Sequence, residues 1–547
     1  MNKRNSSKGT RAEDGTYDSA NAFHNLSGFE IKEVYVPEDI EQTEPERDLG
    51  RPGEHPFTRG IHKSMYRQRP WTIRQLGSLH SPSEANERIR HLLNMGATGI
   101  SLCLDMPTIM GRDSDDPLAE GEVGSCGGVA IDSIEDMRSL MEDISLDTTS
   151  INFVSNAQSS VILAMFVAVA EERGVPLEKL TGTMQNDILK EYQAQKSYYF
   201  PPRPSMRLTI DTITFCNAHL HRFNPISISG YHLASAGAMP IQELAFTLAN
   251  GFTYVEEAIK AGLPVDHFAP RLSFFFKVHN DFFENIAKFR AARRIWARTM
   301  RDRFHARDPR SCRFRVHTQT SGSSLTAHQA DNNIIRVTIQ ALSAVLGGTQ
   351  SLHTNAYDEA LSIPTPRSEK LALRTQQIIQ HESGVTHTVD PLGGSYYVEA
   401  LTNQMEAECT SYFEQIENLG GVIPAIEKGY YARTINDAAF QYQRDVEERK
   451  RTVVGLNAFY ETEETDIDLR EPDPQFETEK ISALKRLKES RDPALVKGCL
   501  DHIRDACRGT ENIMPILIKA VKHHVTLGEI IGAMRDIFGE YREDFIF

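Results

Sequence analysis

Several common signatures are absent from this chain of 547 residues, and each absence argues against a class of protein. The seven cysteines lie far apart with no CxxC or CxxH arrangement, which argues against a disulfide framework or structural zinc site and favours a reducing compartment. No apolar run approaches the ~20 residues that a membrane-spanning helix needs. The net charge of −15 disfavours nonspecific nucleic-acid binding. The one basic run, Arg290–Arg303, is expected to be a solvated or partner-facing helix.

Catalytic signatures are missing as well. The chain has no HExxH zinc helix, no phosphate-cradling GxxxxGK[ST] loop, no Gly-x-Ser-x-Gly elbow and no obvious acid–base pair of carboxylates. The N-terminal MNKRNSSKGTRAEDGTYDS lacks a hydrophobic segment and carries acids among its basic residues, so it is neither a secretory signal nor a convincing transit peptide. We therefore expect a flexible tail on a cytoplasmic protein.

What the chain does have is a series of eight short strand-like runs, most of them separated by helical segments. In order they read GISLCLD, SINFVSN, GTMQND, PISISGYH, RLSFFF, FRVHTQT, TQSLHTN and THTVD. Such alternation indicates parallel strands with right-handed crossovers, and eight units in this length favour a (β/α)8 barrel over an open sheet. The polar residues that close these runs would then gather into one site at one face of the barrel.

Small polar residues interrupt these strands. A strand buried on both faces should be almost continuously apolar, yet Ser227 and Ser229 alternate with Ile226 and Ile228. Other runs contain further small polar residues, namely Ser101, Ser150, Thr349 and Ser351. The pattern predicts a barrel with a hydrophilic axial channel that can admit something long and polar.

The domain organisation is inferred from changes in composition along the chain. Residues 1–55 are interpreted as a flexible tail and an extended arm, and residues 56–400 as the (β/α)8 substrate-binding barrel. Residues 401–547 are interpreted as a helical C-terminal extension. An acidic stretch within it, ETEETDIDLREPDPQFETEK, is typical of a solvated linker.

Two segments near the predicted strands could bind a substrate. MYRQRPWTIRQ carries Arg67, Arg69 and Arg74, whose guanidinium groups could pair with phosphates, although the segment could equally be a charged loop capping the barrel bottom. In GTMQND, Gln185 could hold a carbonyl group, or it could simply begin a helix.

Polar groups of three further segments are expected at the same mouth of the barrel. SISGYH contains Tyr231 and His232; this histidine could donate a hydrogen bond to a carbonyl, or be a satisfied core or surface residue. HTQTSG adds Gln319, and TQSLHTNAYDEA adds His353, Asn355 and Glu359. A polar channel with so few charged groups suits a reaction whose difficult step belongs to a cofactor.

Taken together and in this order, these segments resemble the substrate-binding large chain of the methylmalonyl-CoA mutase family. The match runs from about Pro56 to the C-terminus, and its most specific pieces are MYRQRPWTIRQ, LDMPTIMGRDSDDP, GTMQNDILKEY, SISGYH, FAPRLSFF, HTQTSG and TQSLHTNAYDEA. The resemblance implies a slightly split barrel with the CoA chain along its Ser/Thr-lined axis. It also implies adenosylcobalamin over the barrel mouth, as the source of the radical that abstracts hydrogen from the acyl group.

The resemblance also assigns roles to residues. The positions similar to CoA-binding residues are Met65, Arg69, Thr72, Arg74, Ser101, Arg271 and Ser273. Those around the thioester are Thr183, Gln185 and His232, of which the histidine would hydrogen-bond the thioester oxygen. Tyr231 matches the tyrosine that helps to eject the adenosyl group. The positions that face the cofactor are Leu104, Gln319, Asn355 and Glu359.

Two departures from the family pattern bear on the substrate. Leu76 stands where methylmalonyl enzymes have a tyrosine, and Gln195 where they have the arginine that grips the free carboxylate. Burying a carboxylate without its arginine would cost several kcal/mol, so methylmalonyl-CoA should be a poor substrate. In having Gln195, the chain resembles the isobutyryl- and 2-hydroxyisobutyryl-CoA mutases. However, Cys103 stands at the position where the 2-hydroxyisobutyryl enzymes have their hydroxyl-binding aspartate. Leu76 and Cys103 together predict an apolar, roomy pocket for a branched acyl group such as pivalyl.

A third departure concerns the cofactor, because the D-x-H-x-x-G motif that supplies the lower cobalt ligand is not found. Asp266-His267 and Asp501-His502 have the wrong spacing. The resemblance therefore implies a separate cobalamin-binding small subunit in an α2β2 assembly, with a G-protein chaperone as a further candidate partner. Three alternatives stay open: methylmalonyl-CoA mutase proper, a noncatalytic acyl-CoA-binding homologue, and an ordinary acid–base lyase or aldolase barrel.

Overall fold

A parallel barrel stands at the centre of the computed structural model, which describes residues 23–461 and 475–543. Two short strands, β1 (Phe23–His24) and β2 (Glu30–Ile31), pair antiparallel in the N-terminal arm. The remaining strands form one parallel sheet: β3 (Thr72–Leu76), β4 (Gly99–Cys103), β5 (Ile151–Val154), β6 (Gly182–Met184), β7 (Phe223–Asn224), β8 (Ile226–Ser229), β9 (Leu272–Val278), β10 (Val316–Thr320) and β11 (Ser351–His353).

The sheet closes through one interrupted strand. Its order is β7-β6-β5-β4-β3-β11-β10-β9-β8, so β7 and β8 lie at its two edges although only Pro225 separates them in the chain. Proline has no N–H to donate to a ladder, so the strand pairs with β6 before this residue and with β9 after it. The Ser227 N–H also donates to the Gln185 carbonyl oxygen at 2.9 Å. The (β/α)8 fold class is thereby confirmed.

One of the eight predicted strands was wrong. THTVD lies in turns and bends rather than in the sheet, and two glycines, Gly393 and Gly394, follow it closely. The strand that completes the barrel is β3, which pairs with β11 on one side and β4 on the other. It begins within MYRQRPWTIRQ, for which a loop was one of the two interpretations, and extends to Leu76. The strand was missed because the charged Arg74 interrupts the apolar pattern expected of a buried strand.

Helices surround the barrel, and the long ones agree with the sequence pattern. Their bounds are α1 (Met65–Gln68), α2 (Pro82–Asn94), α3 (Met106–Ile109), α4 (Ile134–Leu140), α5 (Ser159–Glu172), α6 (Pro202–His219), α7 (Tyr231–Ser235), α8 (Pro240–Lys260), α9 (Val265–Phe268), α10 (Phe282–Asp302), α11 (Asn332–Leu346), α12 (Pro366–His381), α13 (Tyr396–Asn418), α14 (Val422–Glu427), α15 (Tyr430–Glu447), α16 (Phe476–Ser490), α17 (Pro493–Arg508), α18 (Met514–Lys522) and α19 (Leu527–Phe538). Helices α14 and α15 had not been predicted. Most of the proposed acidic linker, residues 462–474, lies outside the described residues, as do residues 1–22.

The first part of the basic run Arg290–Arg303 on α10 is buried, which corrects the expectation of a solvated or partner-facing helix there, whereas Arg301 and Arg303 are exposed. Arg290 pairs with Asp390 and Glu399, and Arg294 pairs with Glu406 on α13. The N-terminal arm lies on the same helix, because the backbone N–H groups of Leu26 and Ser27 donate to Glu284. The apparent surplus of charge on α10 is therefore neutralised by the elements that cover it.

The helices beyond the barrel pack on two of its sides. Helix α13 contacts α8 and α10, whereas α18 lies against α5 and α17 packs on α18 and α19. Within the described ranges, no helix has both the length and the apolar character required to cross a bilayer.

Candidate active site

The inward-facing side chains of the barrel strands form polar layers. In one layer Ser101, Asn152, Thr183 and Asn224 are neighbours in register. Asn152 donates to the Ser101 hydroxyl and Asn224 to the Thr183 hydroxyl, each at 3.1 Å. The alternate residues on these strands, among them Ile100 and Phe153, are fully buried on the other face. The predicted hydrophilic interior is thus confirmed.

A channel of about 1120 Å³ enters this interior from the N-terminal ends of the strands. Ser227 and Ser273 lie side by side in register on its wall. Most residues that sequence similarity assigned to CoA line it, together with two assigned to the thioester. They are Met65, Arg69, Thr72, Arg74, Arg271, Ser273, Thr183 and Gln185.

Arginines ring the channel entrance. Arg222, Arg271, Arg313 and Arg315 all line it, and no ion pair with a carboxylate is found for them in the described part of the chain. Burial, together with the charges of Arg271 and Arg313, lowers the pKa of Arg315 to about 10. Guanidinium groups without ion-pair partners have the chemistry to pair with phosphate groups. The sequence had indicated Arg271 but not Arg313 or Arg315, which directly precede β10.

Two polar groups inside the channel lack full partners. The side-chain oxygen of Gln185 accepts no hydrogen bond from any residue that the structure describes, although the residue is only 1% exposed. Arg74 donates to the Ser150 hydroxyl at 2.9 Å, while its Nε has no partner. Burial lowers the pKa of Arg74 to about 10. Unsatisfied buried groups are costly, so these two are expected to be satisfied by a ligand in the channel.

Helix α7 places His232 and Tyr231 at the opposite, C-terminal end of the barrel. His232 Nδ1 lies 2.8 Å from the Ser229 hydroxyl. Burial lowers the pKa of His232 well below its ordinary value, and the nearby Lys190 cation lowers it further. The imidazole is therefore neutral, and among the described residues its Nε2 has no hydrogen-bond partner. A neutral ring of this kind can donate one hydrogen bond to a carbonyl oxygen.

A hydrogen-bond network joins Tyr231 to three residues on β10 and in the loop after β11. The tyrosine ring stacks on Phe275 with the centroids 4.9 Å apart. Gln319 Nε2 donates to the Tyr231 hydroxyl and to Asn355 Oδ1, each at 3.2 Å, and Asn355 donates to Glu359 at 2.9 Å. Burial raises the pKa of Tyr231 above its ordinary range and that of Glu359 to about 7. We call Tyr231, Gln319, Asn355 and Glu359 the mouth network.

A second cavity of about 460 Å³ lies beside this network. Leu76, Cys103 and Glu359 line it together with Ile363. Burial raises the pKa of the Cys103 thiol to about 12, so the thiol is neutral. The one arginine in the lining, Arg88, is neutralised by Glu369 at 2.7 Å. We call this cavity the upper pocket.

Comparisons with known proteins agree with this geometry. The sequence profile described as methylmalonyl-CoA mutase matches residues 24–540. The chain belongs to the methylmalonyl-CoA mutase family. It is 48% identical over 527 residues to the 2-hydroxyisobutanoyl-CoA mutase large subunit of Aquincola tertiaricarbonis, covering 96% of this chain and 93% of that relative.

Other members of the family are longer than this chain. The methylmalonyl-CoA mutase of Escherichia coli (strain K12) is 45% identical over 515 residues, covering 94% of this chain and 72% of that protein. The mitochondrial methylmalonyl-CoA mutase of Homo sapiens is 41% identical over 522 residues, with coverages of 95% and 69%. These relatives are acyl-CoA mutases, and the chain is accordingly an isomerase of the intramolecular-transferase class.

Three residues assigned by family similarity lie outside both cavities and belong neither to the mouth network nor to the adjacent His232. Ser101 is buried in the polar layer beside the channel. Leu104 is 3% exposed and packs in the apolar core. Gln195 is exposed, and its side-chain oxygen accepts a hydrogen bond from Lys190. Their roles toward CoA, cofactor and acyl group stay predictions.

Proposed function

We propose that the chain is the large subunit of an adenosylcobalamin-dependent mutase that rearranges the carbon skeleton of a branched, non-carboxylated acyl-CoA. The observation that carries this proposal is the division of the barrel interior. An arginine-ringed polar channel enters from one end, and the upper pocket, whose one arginine is paired with a glutamate, lies beside a hydrogen-bonding mouth at the other. A molecule with phosphates at one end and a small apolar group at the other fits this division.

The channel residues would bind CoA by complementary chemistry. Arg271, Arg313 and Arg315 would hold the phosphates, because guanidinium groups pair with them bidentately. The free oxygen of Gln185 would accept an N–H of the pantetheine arm. Beyond the channel, neutral His232 would donate to the thioester oxygen and so orient the acyl group toward the mouth.

The mouth network fits the sugar of adenosylcobalamin. Asn355 and Glu359 offer a donor and an acceptor side by side, which is the chemistry that ribose hydroxyl groups require. When bound, this cofactor supplies the carbon radical that removes a hydrogen atom from the acyl group. The residues of this chain would position both partners and keep water from the reacting carbon.

A separate small subunit would carry the cobalamin. The sequence contains no D-x-H-x-x-G motif, and the Aquincola relative, similar along 93% of its length, is itself named a large subunit. Family precedent gives an α2β2 assembly and a G-protein chaperone.

The acyl group is expected to be uncharged because the upper pocket offers no free cation. Its one arginine is paired, and Glu359 would repel a carboxylate. Lys190, beside Gln195, is fully buried and already paired with Glu191 at 2.6 Å. A free carboxylate on the acyl group would therefore be buried without compensation, at a cost of about 3–5 kcal/mol.

A substrate panel tests this proposal. We expect pivalyl-, isobutyryl- or 2-hydroxyisobutyryl-CoA to exceed methylmalonyl-CoA at least about 100-fold in kcat/KM, when chain, small subunit and adenosylcobalamin are combined. Dominant methylmalonyl turnover by the unmodified chain would refute the substrate assignment. Acyl-CoA binding without turnover or a change in the cobalamin spectrum would favour a noncatalytic homologue.

A further inference from the structure

Strand β9 carries an inward-facing residue that the sequence patterns had not singled out. Ser273, Phe275 and Lys277 alternate along the same face of β9, and Lys277 pairs in register with Gln319 of the mouth network. Lys277 is only 7% exposed. A buried lysine is costly unless its ammonium group is well bound, so its partners require an explanation.

The ammonium group of Lys277 bridges two separate segments. Its Nζ donates to the carbonyl oxygen of Ala234, in the last turn of α7, at 2.7 Å. It also donates to the hydroxyl of Ser323, in the loop after β10, at 2.9 Å. Helix α7 begins with Tyr231 and His232, so the lysine joins the helix that carries these residues to the neighbouring loop.

The joined loop is itself part of the mouth. The loop passes close to Tyr231, because a Cβ at Gly322 would lie 3.6 Å from the Tyr231 hydroxyl. A Cβ at Gly322 would lie only 2.9 Å from Asn355 Nδ2, which shows how closely the loop passes the network. Phe275 supports the Tyr231 ring from the strand, and Lys277, two residues later, fixes the far end of the same helix.

We propose that Lys277 is a positioning residue that holds α7 against the Gly322–Ser324 loop and thereby fixes Tyr231 and His232 for the reaction. The inference rests on the proposed function, since it concerns the groups that would face cofactor and thioester. It differs from a purely structural role because Lys277 contacts neither an outer helix nor the apolar core through its ammonium group.

The surrounding charges bear on the pH range in which this bridge operates. Burial, together with the charge of Lys288 on α10, lowers the pKa of Lys277 to about 8, although Glu243 on α8 opposes the shift. His279 is neutral because burial lowers its pKa to about 3. Above about pH 8 the lysine loses its charge, and charge-assisted hydrogen bonds to Ala234 and Ser323 become ordinary ones.

The first test uses Lys277→Met in the full chain with its small subunit. We expect hydrogen–deuterium exchange to increase in residues 231–236 and 321–325 together, and kcat to fall at least 10-fold while KM for acyl-CoA changes less than about 2-fold. Asn86→Leu is the matched control, because Asn86 is also buried and donates two hydrogen bonds to backbone carbonyl groups, those of Leu140 and Glu142. Unchanged exchange in either segment, or unchanged kcat, would overturn the proposal.

The second test is rescue by a permanent cation. Lys277→Arg should restore most of the exchange protection and move the alkaline limb of kcat, expected near pH 8 in the unmodified enzyme, to higher pH. An alkaline limb identical in both proteins would contradict the role of the ammonium group. An unmodified enzyme that turns over no acyl-CoA would refute the proposed function instead, and the exchange measurements would still decide whether Lys277 joins the two segments.

Discussion

At the scale of single residues, burial decides which charges the active site carries. His232 is neutral and Cys103 is a thiol, because desolvation opposes the charged form of each. Glu359 is the exception that titrates near neutrality, since burial and the adjacent Asp358 raise its pKa to about 7. In the mouth network, the folded structure therefore disfavours ionisation of the Glu359 carboxyl group.

Replacing that carboxyl group should stabilise the protein in a pH-dependent way. The pKa of Glu359 is raised from 4.5 to about 7 on folding, so ionisation costs stability progressively between these pH values. Glu359→Gln, which keeps an acceptor for Asn355, should be more stable than the unmodified protein by up to about 3 kcal/mol at pH 8. The difference should nearly vanish near pH 4.5.

Chemical denaturation at pH 5 and pH 8 measures this difference directly. A gain in the free energy of unfolding that is the same at both pH values would contradict the buried, raised-pKa carboxyl group. A loss of turnover in the more stable variant would show that the carboxyl group is retained for function rather than for stability.

At the scale of elements, a lysine fastens the C-terminal extension to the barrel. Lys480 on α16 is 8% exposed and pairs with Asp132 and Asp136, which flank the start of α4. On the same helix, Lys488 pairs with Asp113 at 3.0 Å. Removing one partner of a buried pair leaves the other charge uncompensated.

Lys480→Met should therefore lower the free energy of unfolding by about 3–5 kcal/mol. Lys485→Met, which removes an exposed lysine from the same helix, should change it by less than about 0.5 kcal/mol. Denaturant unfolding of both variants provides the measurement. Equal effects of the two substitutions would mean that the ion pairs with Asp132 and Asp136 contribute nothing to docking of α16.

Sequence periodicity identified the helices of the barrel well but exchanged one strand for another. THTVD has strand-like composition, yet the closed sheet has no free edge to pair with it. In β3 the charge of Arg74 is turned inward to the channel, so the usual apolar signature of a buried strand is missing. Polar residues inside the strands thus predicted the channel, but in β3 they also prevented recognition of the strand.

At the scale of the whole molecule, the two ends of the barrel differ in chemistry. Sequence motifs located residues at both ends, including Arg271 at the entrance and Tyr231 at the mouth. They could not reveal Lys277 or Arg315, whose importance depends on which neighbours the fold gives them. They also could not show that Gln195 is exposed, because exposure depends on packing between distant segments.

The measurement that tests the central claim most directly is a crystal structure of the complex with a non-reactive acyl-CoA analogue. The account predicts phosphates against Arg271 and Arg315, the pantetheine arm along the barrel axis past Ser227 and Ser273, and the acyl group beside Leu76 and Cys103. An analogue bound on the outer surface, with the channel empty, would contradict it.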